Sequence, residues 1–129
     1  MKKDISGKED IQLLVDTFYS RVRKDELIGP IFNERIGENW PHHLSKLYGF
    51  WEAILFGSNT YSGRPFPPHA QLPIEAGHFA RWLYLFHTTI DQLFEGEKAK
   101  EAKTRAASMA ALFHHKIEHL KKQGPLNIQ

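Results

Sequence analysis

An all-α fold is predicted by three features of this 129-residue chain. Apolar residues recur at three- and four-residue spacing through four long stretches, the period of a helix with one buried face. No stretch sustains the strict alternation of a half-buried strand, and no turn dipeptide marks a hairpin. Helix-starting and helix-stopping residues bracket the periodic stretches. About four substantial helices follow, with no internal repeat.

Ser6 and Glu9 form an S-x-x-E capping box ahead of the first stripe, Ile11, Leu14, Val15, Phe18 and Val22, with Tyr19 on its edge. Gly29-Pro30 breaks that pattern, and Ile31-Phe32 follows at the corner. Asn39-Trp40-Pro41 reads as the next start, with proline near the first helical position. From Pro41 to Phe56 the stripe is Leu44, Leu47, Tyr48, Trp51, Ile54 and Leu55. Gly57 to Pro73 differs in kind, with prolines at 65, 67, 68 and 73 and few helix formers. A loop this long inside a small domain is usually functional or disordered, and Tyr61, Phe66 and Leu72 give it something to bury. A third long helix is expected from about Ile74 to Phe94, with Phe79, Trp82, Leu83, Phe86, Ile90 and Leu93 inward. The last should run from about Glu95 to Gln123, with Ala102, Ala106, Met109, Phe113, Ile117 and Leu120 inward, and end at Gly124-Pro125.

The length suits one domain, residues 1–129, able to bury roughly two-thirds of its unfolded surface. Sixteen aromatic residues (nine Phe, four Tyr, three Trp) in a chain only 41% hydrophobic must build much of the core or line a site. Charges are mixed, with a net charge of +2 and no basic block, which argues against nucleic acid as the main partner. Zero cysteines exclude a disulfide scaffold and thiolate metal sites. The opening MKKDISGKED has no apolar run behind its lysines, so no signal peptide is read there. Nothing approaches the roughly 18 apolar residues of a membrane span. A cytoplasmic protein, monomeric or weakly dimeric, is the expectation.

Eight histidines separate by context. His114, His115 and His119 lie among Lys116, Glu118, Lys121 and Lys122, a solvated helix face, and His78 and His87 are read as surface residues. Glu75 and His78 match one E-x-x-H, but a di-iron bundle needs a second copy and two further inward glutamates. Helical phase puts His42 with Ser45, Lys46 and Gly49 on a solvent face, and His43 with Leu47, Phe50, Trp51 and Ile54 on the inner face. His43 therefore points inward near the mouth of any pocket. His69 stands at the end of Arg64-Pro-Phe-Pro-Pro, and prolines reduce the freedom that metal binding would otherwise remove. Two histidines from separate elements among aromatics are what a buried flat cofactor with a central metal requires, and haem is the candidate.

At this point the chain resembles the truncated haemoglobins, and among them group III. The likeness runs from about Asp16 to Ile117 and is carried by Phe18-Tyr19 with RVRKDELIGPIF, His43 with LSKLYGFWEAILFG, the stretch from Tyr61 to His69, and Phe79 with ARWLYLF. The absence of any Gly-Gly pair is what group III implies. The resemblance implies a two-over-two helical sandwich enclosing haem b (iron protoporphyrin IX), with a proline-rich loop before the proximal histidine and a haem-binding core over about residues 9–121. Position by position it implies His69 as the iron ligand, and Tyr19, His43 and Trp82 as the polar residues of the ligand side. It implies Phe32 as the phenylalanine wedged on the haem, with Leu47, Phe50, Trp51, Phe79 and Phe86 lining the porphyrin and Arg64 as a propionate partner. Lys46 and Arg81 are not separable from Arg64 in that last role, although Lys46 shares the outward phase of His42.

The function so implied is binding of dioxygen and other diatomic ligands (CO, NO, cyanide). Oxygen delivery or sensing, NO detoxification and peroxidase-like chemistry all remain open, since a fold does not choose among them. Catalytic turnover would need an external electron-donating reductase. The alternative from another class is a cofactor-free helical interaction protein, which explains the stripes but not the His69 loop.

Overall fold

The computed structural model describes residues 2–57 and 76–128, without the side chains of residues 76, 117 and 120–128. Within them lie α1 (Lys8–Lys24), α2 (Gly29–Ile36), a 3-10 turn (Gly37–Asn39), α3 (Trp40–Phe56), α4 (Ala76–Leu93) and α5 (Glu97–Ile128), and the described residues contain no strand. The predicted all-α class is what the structure has.

Helix α1 packs against both α3 and α4, and α4 pairs with α5 through a three-residue link, so two helices lie over two. The α1 stripe is buried throughout, with Ile11, Leu14, Val15, Phe18, Tyr19 and Val22 each at most 3% exposed. Phe18 is its hub, edge-on to Trp82 at 5.5 Å and to Phe86 at 5.0 Å. On α5 the buried face is small, Ala99, Ala102, Ala106 and Ala110, which lets α4 approach closely. From α4, Leu85, Phe86, Thr89 and Ile90 are buried in the same core, Phe86 against Phe18 and Trp51. Helix α3 is less covered: Trp51 and Leu55 are buried, while Leu47, Phe50 and Ile54 stay half-buried along one side.

Several boundaries differ from expectation, each for a local reason. The Ser6–Glu9 capping box does not form. The helix begins one residue later, so the Asp10 carboxylate is the one that accepts from Ser6 N (2.8 Å) and Ser6 Oγ (2.9 Å). Gly29-Pro30 opens a helix instead of only breaking one, with Pro30 in its first turn where no N–H is needed. Glu95 and Gly96 belong to the link, since Gly96 has φ 136°, which helices forbid. The last helix does not stop at Gly124-Pro125 but continues to Ile128, Pro125 forgoing one backbone bond.

The chain ahead of α1 straps the α4–α5 link. Ile5 is buried, Glu95 N donates to Lys3 O at 3.0 Å, and Asp4 caps α5 by accepting from Lys98 N and Ala99 N, both at 2.9 Å. A Cβ on Gly96 would sit 2.5 Å from the Asp4 carboxyl carbon, so only glycine allows this approach. Burial alone would raise the Asp4 pKa, but the N–H groups of Lys98, Ala99 and Ile5 and the Lys98 charge outweigh it and hold it below its ordinary 3.8. Asp4→Ala should cost about 0.5–2 kcal/mol, the usual effect of losing a cap. Because the folded pKa is the lower one, this contribution is complete above 3.8 and fades as pH falls through the folded value. Urea midpoints of the two proteins should differ at pH 7 and converge in acid. Equal midpoints at pH 7 would show the strap idle.

Candidate functional site

Three polar side chains from three helices meet where α1, α3 and α4 converge. Tyr19 is supplied by the buried face of α1, at 3% exposure. Its ring is edge-on to Phe18 at 4.6 Å and to His43 at 5.9 Å, and lies 5.9 Å from Trp40. The first turn of α3 supplies His43, whose ring is half-buried, with Nε2 fully enclosed. Trp82, from α4, is stacked parallel to Phe86 at 5.7 Å and edge-on to Phe18 at 5.5 Å, with its indole near enough to the Tyr19 hydroxyl to lower the Tyr19 pKa. An indole nitrogen only donates, so it leaves the phenolic hydrogen of Tyr19 available to another acceptor.

Electrostatics keep that hydrogen in place. Burial pushes the Tyr19 pKa up to about 12, the Trp82 indole opposing it only in part. Tyr19 is therefore a neutral O–H donor at any physiological pH.

Below the triad runs an apolar crevice between the α2 corner, α4 and α5. Ile28, Ile31 and Phe32 form one wall, Phe79 and Trp82 another, Ala110 and Phe113 the third. Its free volume, about 20 Å³, is near that of one water. On the outer side of Tyr19 a wide cleft of about 710 Å³ opens to solvent between α1, α2 and α3, edged by Arg23, Lys24 and Tyr48. The walls of the inner crevice are apolar and aromatic, the kind of lining a flat apolar group needs.

Sequence reading and structure can be compared residue by residue. Tyr19, His43, Trp82, Phe32 and Phe79 are brought together around the triad and crevice. Trp51 and Phe86 stack on each other in the core at 5.0 Å, and Leu47 and Phe50 lie on the half-buried side of α3. His69 and Arg64, with the whole proline-rich stretch, lie outside the described residues. His42 and Lys46 are exposed, as their phase predicts. Arg81 is engaged with Asp25 at 2.7 Å.

Three histidine readings are corrected. His78 is not a surface residue: it is half-buried and lines the crevice, one helical turn before Trp82. His87 is half-buried too, its Nε2 3.3 Å from the Lys103 carbonyl across the α4–α5 contact. His114 is half-buried and tilts against Phe79 at 5.7 Å, leaving His115 and His119 on the exposed face. The i,i+4 spacing of His78 and Trp82 was the available signal. Trp40 was read only as part of a helix start, yet it is 4% exposed and walls the triad from outside, with the Arg23 guanidinium 4.8 Å above its ring.

The residues suit haem: an apolar, aromatic crevice for a flat ring, and fixed donors gathered at its head instead of scattered over it. Comparisons with known proteins point the same way. A family model described as bacterial-like globin matches residues 3–118. The Group 3 truncated hemoglobin of Campylobacter jejuni is 35% identical over 121 residues, covering 91% of this chain and 95% of that protein. The crystal structure of the group III truncated hemoglobin from that organism superposes with a TM-score of 0.83 over the same shares of the two chains. A group II truncated hemoglobin of Bacillus anthracis, solved as a tryptophan variant, gives 0.71 at 28% identity over 85% of each chain.

Proposed function

The chain belongs to the bacterial-like globin family, as a truncated haemoglobin of the group III kind, and from that membership we propose that it binds haem b and, through it, dioxygen and other diatomic ligands. Haem-based ligand binding is what the family implies. The b type is part of this proposal: with no cysteine in the chain, neither thioether attachment nor thiolate ligation is available, and we assign the iron to an imidazole.

The observation that carries the reading is the gathering of Tyr19, His43 and Trp82 from three helices: Tyr19 is buried and edge-on to His43 at 5.9 Å, and Trp82 packs on the adjacent Phe18 at 5.5 Å. Haem, when bound, would supply an iron able to take a diatomic ligand, and we assign the holding of that iron to His69. The chain's own residues do the rest. Tyr19, set beside Trp82 and kept protonated by burial, offers its O–H to a ligand that gathers negative charge. Preset donors in a dry pocket need no reorganisation, which is why they stabilise charge better than water does. His43, between Tyr19 and Trp40 at the start of α3, provides a second polar group and stands between the pocket and solvent. Phe32 and Phe79 exclude water from the crevice. Phe32, Leu47, Phe50, Trp51, Phe79 and Phe86 are assigned to the porphyrin and its immediate support, with Arg64 as the propionate partner.

Titrating the purified protein with haemin tests the reading. Saturation at one haem per chain, with a strong absorption band at the blue edge of the visible that shifts on adding CO to the reduced protein, is the expected result. A folded protein that stays colourless in excess haemin would remove it.

A further inference from the structure

We propose that the Asp25–Arg81 ion pair is the positioning device of the ligand side, holding α4 at the height where the Trp82 indole lies beside the Tyr19 hydroxyl. The geometry is independent of any cofactor, while the consequence for ligands rests on the haem reading above.

Asp25 ends α1 and its side chain is only 4% exposed. One carboxylate oxygen accepts from Leu27 N and Ile28 N, each at 3.0 Å, and so starts α2. The other accepts from both Nε and Nη2 of Arg81, each at 2.7 Å. Arg81 is backed from its far side by the Tyr84 ring, 5.2 Å away. Neighbouring helix residues point about 100° apart, so α4 sends Arg81 to the corner and Trp82 to Tyr19 from the same turn. The same turn of α4 is therefore held to α1 twice, by the Asp25–Arg81 ion pair outside and by Trp82 packed on Phe18, beside Tyr19, inside.

The corner cannot shift to accommodate a loose partner. A Cβ on Gly29 would lie 2.8 Å from the Arg23 carbonyl, and Asn33 Nδ2 donates to that same carbonyl at 3.0 Å. Ile28, placed by the Asp25 cap, is fully buried and walls the crevice opposite Trp82. By contrast, the remaining α1–α4 contact near Trp82 is ring against ring, through Phe18. Apolar contact is non-directional and lets a helix slide or turn slightly. Charge-assisted hydrogen bonds at fixed angles do not. Another directional tie, Arg21 Nη1 donating to Thr89 Oγ1 at 2.9 Å, sits about two turns further along α4 and makes a natural control.

The test reads the Trp82 indole N–H directly, by its NMR shift and its exchange with water in the purified chain, alongside dioxygen release from the haem-loaded protein. Asp25→Asn keeps an oxygen for Leu27 and Ile28 while losing the charge, and Arg81→Gln removes the partner at a partly exposed site, so neither threatens the fold. Both should move the indole resonance, speed its exchange by about tenfold and speed dioxygen release roughly three- to tenfold. The double variant should be no worse than either single one. Arg81→Lys should restore part of the effect, a lysine supplying charge without the fixed fork. Arg21→Gln should lower the melting temperature and leave the indole signal alone. Unchanged indole exchange in both Asp25→Asn and Arg81→Gln overturns the proposal, as does an equal change in Arg21→Gln. A protein that takes up no haem would sink the functional reading while leaving the indole measurement decisive on the ion pair.

Discussion

Replacing His69 with alanine should strip the chain of most of its haem, while His42→Ala should retain it. His69 ends a stretch with prolines at 65, 67 and 68, a chain stiffened before any metal arrives, so ligation there removes little further freedom. His42 is exposed on α3 with Ser45 and Lys46. Losing even a supporting contact to a metal ligand costs roughly ten- to a hundredfold in affinity, and losing the ligand itself should cost at least that. The measurement is haem transfer to an acceptor protein, followed by absorbance for wild type and both variants. Added imidazole should slow the loss from His69→Ala by occupying the vacated position. Full retention with an unchanged ligand spectrum in His69→Ala would assign the iron to another histidine, and His78, which already lines the crevice, would be the first to replace.

Tyr19→Phe should accelerate dioxygen release roughly ten- to a hundredfold. A hydrogen bond to a charged acceptor contributes about 1.5–3 kcal/mol, and about 1.4 kcal/mol is a factor of ten. CO, with less charge on its outer atom, should respond far less. The structure adds a second consequence. The Trp82 indole N–H lies beside the Tyr19 hydroxyl, so removing that oxygen leaves the indole able to turn toward the ligand. Tyr19→Phe/Trp82→Phe should therefore release dioxygen faster than Tyr19→Phe alone. Stopped-flow release of both gases checks this. Equal acceleration for dioxygen and CO would indicate altered packing, and slower dioxygen release in Tyr19→Phe would make Trp82 the main donor, restrained in the native protein by the tyrosine.

Much of this was legible in the chain before any coordinates. The α1 stripe was read correctly because a solvent-to-core gradient across one helix shows up as period, and period survives in sequence. His42 and His43 separated for the same reason: one residue is 100° on a helix. The short α2 was not legible, since eight residues carry too few apolar positions to show a period, and Gly29-Pro30 signals a break as readily as a start. Asp10 replaced Glu9 at the first cap through a one-residue shift in helix start, which capping chemistry tolerates. His78 was misplaced because Gly77 and Ala80 on either side of the His78-Phe79 pair are exposed, while Phe32 and Phe113, which line the crevice with it, come from other helices.

The sequence by itself determined the helical class, the inward phase of His43, Phe79 and Trp82, and the exclusion of disulfides and thiolate metal ligands. Those are properties of one segment or of composition, and local geometry is enough to decide them. Only the tertiary structure decided that Trp82 comes to rest beside Tyr19, that Trp40 closes the triad from outside, and that Asp25 reaches Arg81 across 56 positions of chain. Ring contacts and ion pairing depend on where separate helices come to rest against each other. That resting height is fixed by side-chain shape in a packed core, to within a fraction of an ångström, and no single helix encodes it alone.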